Sequence, residues 1–437
     1  MPPDKNGGLR LNRGSLIPHL FVLSQNFLYY SLLQKYNNMQ EPITFQNNNQ
    51  IALTINKILD NIIYILIGFW LILRFFEVCT SLYSYPLLQI FQYKATNVLN
   101  TCFVLYFLYK LLFEHRCKIH LILCLLFVIV SYFLYKLTKT PLVFDLFFIP
   151  LFMCQFLSKE RFYKVVVVSI LIFSVTTFIL FCMGYLHSPE VFTRSNGKIR
   201  YYFGFIHPNL LGCTAFLLCL YIILIKKNLS FWGYFLLVLV AIFCYIVPNS
   251  ITSTVLVLLS ACICFFIKHF HREIINAKAK YKILSVFLAV VIGVLVLNYY
   301  ITFTGAFKTV LQNMPGSIWA RFELSKIGYD LFGFSLFGKY FDFYSFVSTQ
   351  IKANNSSQFH LVLDCSYFYL PIIHGIIVYF IYIGMLIYCL CRSILKNEYL
   401  YASLFVVIVL YGVSETIIFR SFMMPLFAYT FFKNSKS

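Results

Sequence analysis

Long apolar runs dominate the chain, and short polar segments separate them. An apolar run of roughly 17–25 residues is long enough to cross a bilayer as a helix. Twelve such runs are predicted as spans, at 58–76, 98–113, 118–136, 141–157, 164–186, 203–226, 231–247, 251–267, 281–303, 366–391, 399–413 and 415–433. The pattern therefore predicts an all-α polytopic integral membrane protein with about twelve transmembrane helices.

Composition excludes a water-soluble fold. Of the 437 residues, 60% are hydrophobic and only 11% are charged, whereas a soluble domain carries about 25% charged residues. The net charge of +20 does not indicate nucleic-acid binding, because the basic residues occur in short pieces between apolar runs. Nearly all of the fourteen cysteines lie inside apolar runs. The sequence offers neither a zinc-binding cysteine pattern nor a DxD pair, so no metal or cofactor is predicted.

The distribution of lysine and arginine predicts the orientation, since basic residues favour cytoplasmic segments. With both termini in the cytoplasm, the six short inner segments between and after the spans carry 17 basic residues. The outer segments carry 11 over a much longer stretch of chain. This bias supports an arrangement with both chain ends inside.

The same orientation divides the chain into four parts. Residues 1–50 form a polar extension that is an extra span, an interfacial helix or sequence upstream of the true start. Residues 51–303 hold nine spans and a short outer segment, 187–202. A large extracytoplasmic loop covers 304–365, and 366–437 hold the last three spans and a cytoplasmic tail. A 62-residue outer loop is longer than a connector needs to be.

The large loop contains a helical pattern. Ala320, Leu324, Ile327 and Leu331 recur at spacings of four, three and four residues, which predicts one apolar helix face. Arg321 lies off that face. We expect an amphipathic helix on or near the outer membrane surface; the alternative is an interfacial helix whose arginine merely extends to water.

The stretch IRYYFGFIHPNLLG opens the sixth predicted span from the outside. His207-Pro208-Asn209 suits a helix start, because proline fits the first turn. A helix amino end offers free N–H groups and partial positive charge to an anion. Arg194 and Arg200 stand just before it, and Gly204 and Gly212 allow backbone or ligand to come close. Together these residues predict an anion site at the outer boundary, with phosphate as the expected anion.

These segments resemble bacterial O-antigen and capsular polysaccharide polymerases of the Wzy type and the related O-antigen ligases. The stretch 199–212 is similar to their signature, 320–338 resembles their large outer loop, and 363–377 resembles the exit of that loop. The order of the parts matches over roughly 50–433. Residues 1–50 depart from the family, whose polymerases generally lack such an extension.

The resemblance implies a glycosyltransferase of the C-type, which takes its donor from undecaprenyl-diphosphate-linked oligosaccharides in the bilayer. The family's functional arginines match Arg200 and Arg321. Where the ligases have an essential histidine, this chain offers Asp364, so Asp364 and His207 are both candidates for the general base. The resemblance leaves open a chain-length regulator and a flippase as partners.

Further side chains are candidates for substrate binding. Asn209 and Gly204 belong to the matched motif. Tyr201, Trp319 and Tyr367 are aromatic residues suited to stacking on sugar rings, with anchoring at the membrane interface as the alternative. Asp145 lies inside a span, where ionisable groups are costly and often functional, and pairing with an outer-loop arginine is one option for it. Glu415 and Arg420 also lie in the last predicted span.

Two other functions remain open at this point. A ligase-type glycan transferase would share the motifs. A flippase or transporter of lipid-linked oligosaccharides would suit twelve spans, although the sequence shows no internal repeat of the kind that many transporters carry.

Overall fold

We describe a computed structural model of the chain. The described residues are 43–113, 118–186, 192–193, 197, 199–270, 277–314, 318–340, 363, 365–415, 420 and 423–432. Two compact units are distinguished, Met1–Asn61 and Ile62–Ser437. In the first unit the described residues are helical from residue 43 onward. The site and the cavity discussed below lie in the second unit.

The described secondary structure is almost entirely helical. The α-helices are α1 (Ile43–Cys79), α2 (Pro86–Phe113), α3 (Lys118–Thr138), α4 (Leu142–Phe148), α5 (Lys159–Cys182), α6 (Pro208–Lys226), α7 (Phe231–Ile246), α8 (Ile251–Phe270), α9 (Ala277–Thr304), α10 (Lys308–Gln312), α11 (Ile318–Phe332), α12 (Ser366–Ile373), α13 (Ile376–Leu395), α14 (Tyr399–Ser414) and α15 (Met424–Ala428). A 3₁₀ turn (Ser81–Ser84) follows α1, and a π-helical turn (Ile149–Met153) continues α4. Two short antiparallel strands, β1 (Phe192–Thr193) and β2 (Ile199–Arg200), pair Phe192 with Arg200.

Eight helices in the described part of the chain are long and apolar enough to cross a membrane. Three shorter apolar helices, over Leu142–Met153, Phe231–Ile246 and Tyr399–Ser414, accompany them. The prediction of an all-α polytopic membrane protein is confirmed at this level. Many large apolar side chains on these helices are exposed, such as Leu112 at 72% and Ile65 at 71%, as expected of surfaces that face lipid.

Helix α2 begins earlier than the sequence predicted. It starts at Pro86, twelve residues before the predicted span at 98–113. Its first half carries the polar residues Gln89, Gln92, Thr96 and Asn97. These side chains lower the hydropathy of the segment, so the apolar pattern alone placed the start too late.

The predicted span at 366–391 is two helices, which is a correction. Helix α12 ends at Ile373, and Gly375 adopts φ +91° before α13 begins. The backbone of the segment after α11 lies in this break, where Ile376 N donates to Ser335 O at 2.8 Å and Lys339 N donates to Ile373 O at 3.0 Å. The apolar run is continuous in sequence because α12 is buried in the bundle, while the longer α13 combines buried residues with exposed apolar ones such as Phe380.

The last predicted span, 415–433, does not form one long helix. Among its described residues only Met424–Ala428 are α-helical, and Glu415 is extended, with φ −147° and ψ 141°. The side chains of α15 are nevertheless buried. The apolar side chains of α15 are therefore accounted for by packing inside the protein.

Buried tyrosines connect the helices of the core. Tyr163 donates to the carbonyl of Pro425 at 2.8 Å, and Tyr367 donates to the carbonyl of Val409 at 2.6 Å. A tyrosine ring fills an apolar core while its hydroxyl requires a partner when buried. These hydrogen bonds hold α5 and α12 to elements that are distant along the chain.

Candidate anion-binding site

Arg200 is held in place just before α6. It ends β2, its side chain is buried, and its Nε donates to the carbonyl of Pro248 at 2.8 Å. Its Nη2 donates to Asn209 Oδ1 at 2.5 Å. Arginine suits such a position because its planar guanidinium has several donors in a fixed geometry. The guanidinium is thus oriented by two partners from different segments.

His207 and Asn209 form the start of α6. His207 is the N-cap, and its Nδ1 accepts a hydrogen bond from the backbone N–H of Asn209 at 3.1 Å. Pro208 follows at the first helical position, where it leaves no N–H unpaired. The amide of Asn209 uses both of its ends, because its Nδ2 donates to Glu415 Oε1 at 2.8 Å while its oxygen accepts from Arg200.

Arg321 reaches the same carboxylate from α11. Its Nη2 lies 3.1 Å from Glu415 Oε1, and its Nη1 donates to the backbone carbonyl of Ser414. Ser414 is the last residue of α14, and a helix carboxyl end favours a cation. The hydroxyl of Ser366, at the start of α12, donates to the carbonyl of Glu415. Three segments that are far apart in sequence therefore meet at the end of α14.

The electrostatics of this cluster favour an anion. Two guanidinium groups, of Arg200 and Arg321, share a network with one carboxylate, of Glu415, so the three side chains carry a net charge of +1. Burial lowers the pKa of the His207 imidazole to about 4, and the charges of Arg200 and Arg321 add to this lowering. His207 is consequently neutral near pH 7, and its Nδ1 acceptor role places the ring proton on Nε2.

Helix α11 packs differently from the predicted amphipathic arrangement. The helix is present, but its buried residues are Phe322, Ser325 and Gly328 rather than the predicted face, and Leu331 is 45% exposed. A Cβ at Gly328 would lie 2.4 Å from Leu363 Cδ2, so the small residue allows close packing. Arg321 lies on this packed side, at the spacing of Ser325 and Gly328, and not on an outer surface.

The structure brings together Arg200, His207, Asn209 and Arg321 of the predicted site residues. Arg194 and Asp364 lie outside the described residues. Gly204 adopts φ +86°, and an added Cβ would contact Leu186, Phe181 and Thr177 O at 3.0–3.2 Å. The close approach at Gly204 is therefore to the protein itself.

The predicted aromatic residues differ in exposure. Tyr201 is 53% exposed, and its ring stacks on that of Phe203. Trp319 has a buried Nε1 with no hydrogen-bond partner among the described residues, and Lys308 Nζ lies 5.6 Å from its ring centre. Tyr367 is fully buried. Its expected role in sugar stacking is thus corrected, because both ring faces are covered by the core.

Asp145 belongs to a second polar cluster. Its Oδ2 lies 2.5 Å from Nη2 of Arg74, a residue of α1, rather than beside an arginine of the outer loops. Arg74 Nη1 also lies 2.5 Å from Glu77 Oε2. A buried carboxylate is stable when a neighbouring cation compensates it, and Arg74 in the first span provides that charge.

Glu415 is the residue whose position in the site the sequence did not predict. The sequence feature that could have identified it is an acidic side chain at the end of an apolar run, in a chain with only 15 acidic residues. Its side-chain partners Asn209 and Arg321 lie 206 and 94 positions away in the chain, which no local pattern indicates. Among the described residues, no group of three or more His, Cys, Asp or Glu side chains is placed to bind a metal.

The arrangement as a whole is a candidate anion-binding centre at the amino end of α6, built from side chains of four segments. Comparison with protein-family models, with curated proteins and with solved structures finds no match to this chain.

Proposed function

We propose that the protein is a glycan polymerase of the bacterial cytoplasmic membrane, with about twelve spans and a large outer loop at 304–365. It joins oligosaccharide repeat units carried on undecaprenyl diphosphate at the outer face. The observation that carries the proposal is the convergence of Arg200 and Arg321 on Asn209 and Glu415. These residues come from segments that the charge distribution assigns to the outer side.

The chemistry suits two arginines. Breaking a sugar–diphosphate bond builds negative charge on the departing diphosphate. Arginine binds phosphate oxygens through two parallel hydrogen bonds and stays charged. The centre requires no metal for this step, because its cations and the α6 amino end stabilise the charge. Binding that strengthens as the charge develops lowers the barrier of the chemical step.

The tautomer of His207 decides whether this residue can act as the general base. Nδ1 is occupied by the Asn209 N–H, so the neutral ring offers Nε2–H as a donor. A donor stabilises an anion but cannot remove a proton from the acceptor hydroxyl. Asp364 is therefore the better candidate for the base. Ser366, two residues along the chain, hydrogen-bonds to the carbonyl of Glu415.

Paired variants test these roles. We expect Asp364→Asn to lower turnover by on the order of a hundredfold or more, the scale of general-base removal, with donor affinity nearly unchanged. His207→Gln should retain more turnover. Both are measured side by side with purified protein and lipid-linked repeat units. An Asp364→Asn enzyme that polymerises at the wild-type rate removes Asp364 from the mechanism.

The function itself is tested by the products. Purified protein supplied only with lipid-linked repeat units should yield a ladder of glycan lengths on the lipid carrier. A ligase-type transferase would yield no ladder from this single substrate. In cells, loss of the protein should leave single repeat units at the outer face. Units trapped at the inner face would instead indicate a flippase.

A further inference from the structure

A cavity of about 470 Å³ with polar side chains along one wall lies between α2 and α3, at a distance in sequence from the candidate anion-binding centre. Its wall is a stripe of polar side chains on α2 that recurs every three or four residues. Members of the stripe are Gln89, Gln92, Thr96, Asn97, Asn100 and Thr101. Helix α3 contributes Ser131, Tyr132 and Tyr135 to the opposite wall. Polar residues in a span face the protein interior or an aqueous cavity and mark functional sites.

Three polar atoms of this wall are buried without a hydrogen-bond partner among the described residues. They are Thr96 Oγ1, Asn100 Oδ1 and Ser131 Oγ. Thr96 is 4% exposed and Ser131 is 6% exposed. A buried polar group without a partner is unfavourable. The residues that carry these atoms line the cavity, so rotation of the Thr96 or Ser131 side chain turns its hydroxyl toward a ligand there, whose own hydroxyl groups both donate and accept.

The charges around the cavity do not favour an anion. Arg74 lies at its inner end between Asp145 and Glu77, each at 2.5 Å, and Gln92 donates to Glu77 at 3.2 Å. The second carboxylate is balanced by Lys139, an exposed residue of the cavity wall. Apart from Lys136 at the rim, whose Nζ lies 5.3 Å from the ring centre of Tyr132, these four charges sum to zero. The wall therefore suits a neutral group.

The rim of the cavity is aromatic and faces the outside of the bundle. Tyr93 and Tyr132 are 56% and 60% exposed, and the hydroxyls of Tyr93 and Tyr135 lie 3.1 Å apart across the opening. Aromatic faces pack on the C–H faces of sugar rings. Exposed apolar side chains such as Leu105 and Ile129 continue along both helices. A ligand with a sugar in the cavity and an acyl chain along α2 and α3 fits this surface.

We propose that this cavity binds the uncharged, hydroxyl-rich headgroup of a membrane glycolipid. The proposal does not depend on the function proposed above, because it concerns different residues and a neutral ligand. The hydroxyls of Thr96 and Ser131 recognise the headgroup. The exposed tyrosines cover its ring.

The test uses full-length protein in a sugar-free zwitterionic detergent, with dodecyl maltoside as the probe and native mass spectrometry as the readout. Wild-type protein should bind the probe saturably. The double variant Thr96→Val/Ser131→Ala should bind it on the order of tenfold more weakly, because two hydrogen bonds are lost. Thr177→Val is the matched control: it also removes a buried, unpaired threonine hydroxyl, but on α5 and outside the cavity.

Folding is checked separately by thermal unfolding. The double variant should melt at or above the wild-type temperature, because each substitution removes a polar group that has no partner. If the double variant does not fold, the two single variants provide the same comparison.

Four outcomes would overturn the proposal. Absence of saturable binding would mean that the cavity holds only water. Equal binding by the wild type and the double variant would place the probe elsewhere. Preferential binding of dodecyl phosphate would identify an anion site. Maltose without the chain should compete weakly; equally tight binding of maltose would assign a free sugar and contradict a lipid ligand.

Discussion

Arg321 is bound on two sides, by the carboxylate of Glu415 and by the backbone carbonyl of Ser414. Within the described residues, it is through this guanidinium that α11 contacts Glu415 and Ser414 at the end of α14. A lysine at this position would keep the charge but offer a single ammonium group. The site depends on the shape of the arginine as well as its charge.

We therefore expect Arg321→Lys to lower glycan polymerisation by roughly ten- to hundredfold, the scale of a lost charge-assisted hydrogen bond. Initial rates with lipid-linked repeat units measure it. Lys326→Arg, an exposed exchange on the same helix, is the control and should leave the rate unchanged. Full activity of Arg321→Lys would mean that the planar guanidinium group with its several donors is not required.

The pH dependence of stability reports on His207. Its pKa is lowered to about 4 in the folded protein, against about 6.5 in an unfolded chain. Between these values the unfolded state binds more protons, so stability falls as the pH falls from 6.5 towards 4. Below 4 both states are protonated and this contribution no longer changes. The expected slope is about 1.4 kcal/mol per pH unit.

The variant His207→Asn distinguishes the contribution of His207 to the pH dependence from that of the carboxylates. Asparagine also caps a helix but does not titrate in this range. Thermal unfolding of both proteins is measured between pH 4.5 and 7.5. The wild type should lose stability more steeply on acidification than the variant. Parallel curves would show that His207 is not held neutral.

At the scale of elements, the break between α12 and α13 is stabilised by backbone contact. A Cβ at Gly375 would lie 2.4 Å from the nitrogen of Gly338, and a Cβ at Gly338 would lie 2.5 Å from the carbonyl of Ile373. Both glycines also have positive φ, at +91° and +85°. The segment after α11 thus enters the break only because neither residue has a side chain.

Gly375→Ala should be strongly destabilising, by several kcal/mol, since it combines a strained φ with a clash against backbone. Gly384→Ala in α13 is the matched control. Nothing lies within 4 Å of an added Cβ there, so alanine should be neutral or slightly stabilising in the helix. The melting temperatures of the two variants decide the matter, and equal values would contradict a close backbone packing at Gly375.

At the scale of the whole molecule, the predicted orientation connects the site to one side of the membrane. Arg200, the start of α6, α11 and the end of α14 all belong to segments that the charge distribution assigns to the outer face. Their contact in one cluster means that they share one depth, because residues that meet near a helix end must lie at similar depth, and the side of the membrane stays a prediction.

Single-cysteine labelling tests this orientation in a variant that lacks the fourteen native cysteines. Asn313→Cys, exposed after α10, should react with a membrane-impermeant maleimide in intact cells. Asn228→Cys, exposed between α6 and α7, should react only after permeabilisation. The reverse result would invert the topology and place the candidate site in the cytoplasm.

Much of the architecture follows from the sequence alone. A bilayer requires about twenty apolar residues for each helical crossing, so hydropathy is a strong signal, and most predicted spans coincide with helices. The start of α6 was also predictable, because a proline in the first helical turn has a local physical meaning. Arg200, His207, Asn209 and Arg321 were recognisable as candidates from residue type and position.

The partners of those residues were decided only by the tertiary structure. In a lipid-facing bundle, apolar side chains cover every face of a helix, so hydrophobic periodicity does not reveal which faces pack together. Contacts such as Asn209 with Glu415 or Arg74 with Asp145 join distant segments and depend on that packing. The break at Gly375 and the burial of Tyr367 have the same origin. The sequence determined the membrane class and the candidate residues, whereas helix packing determined which charges meet.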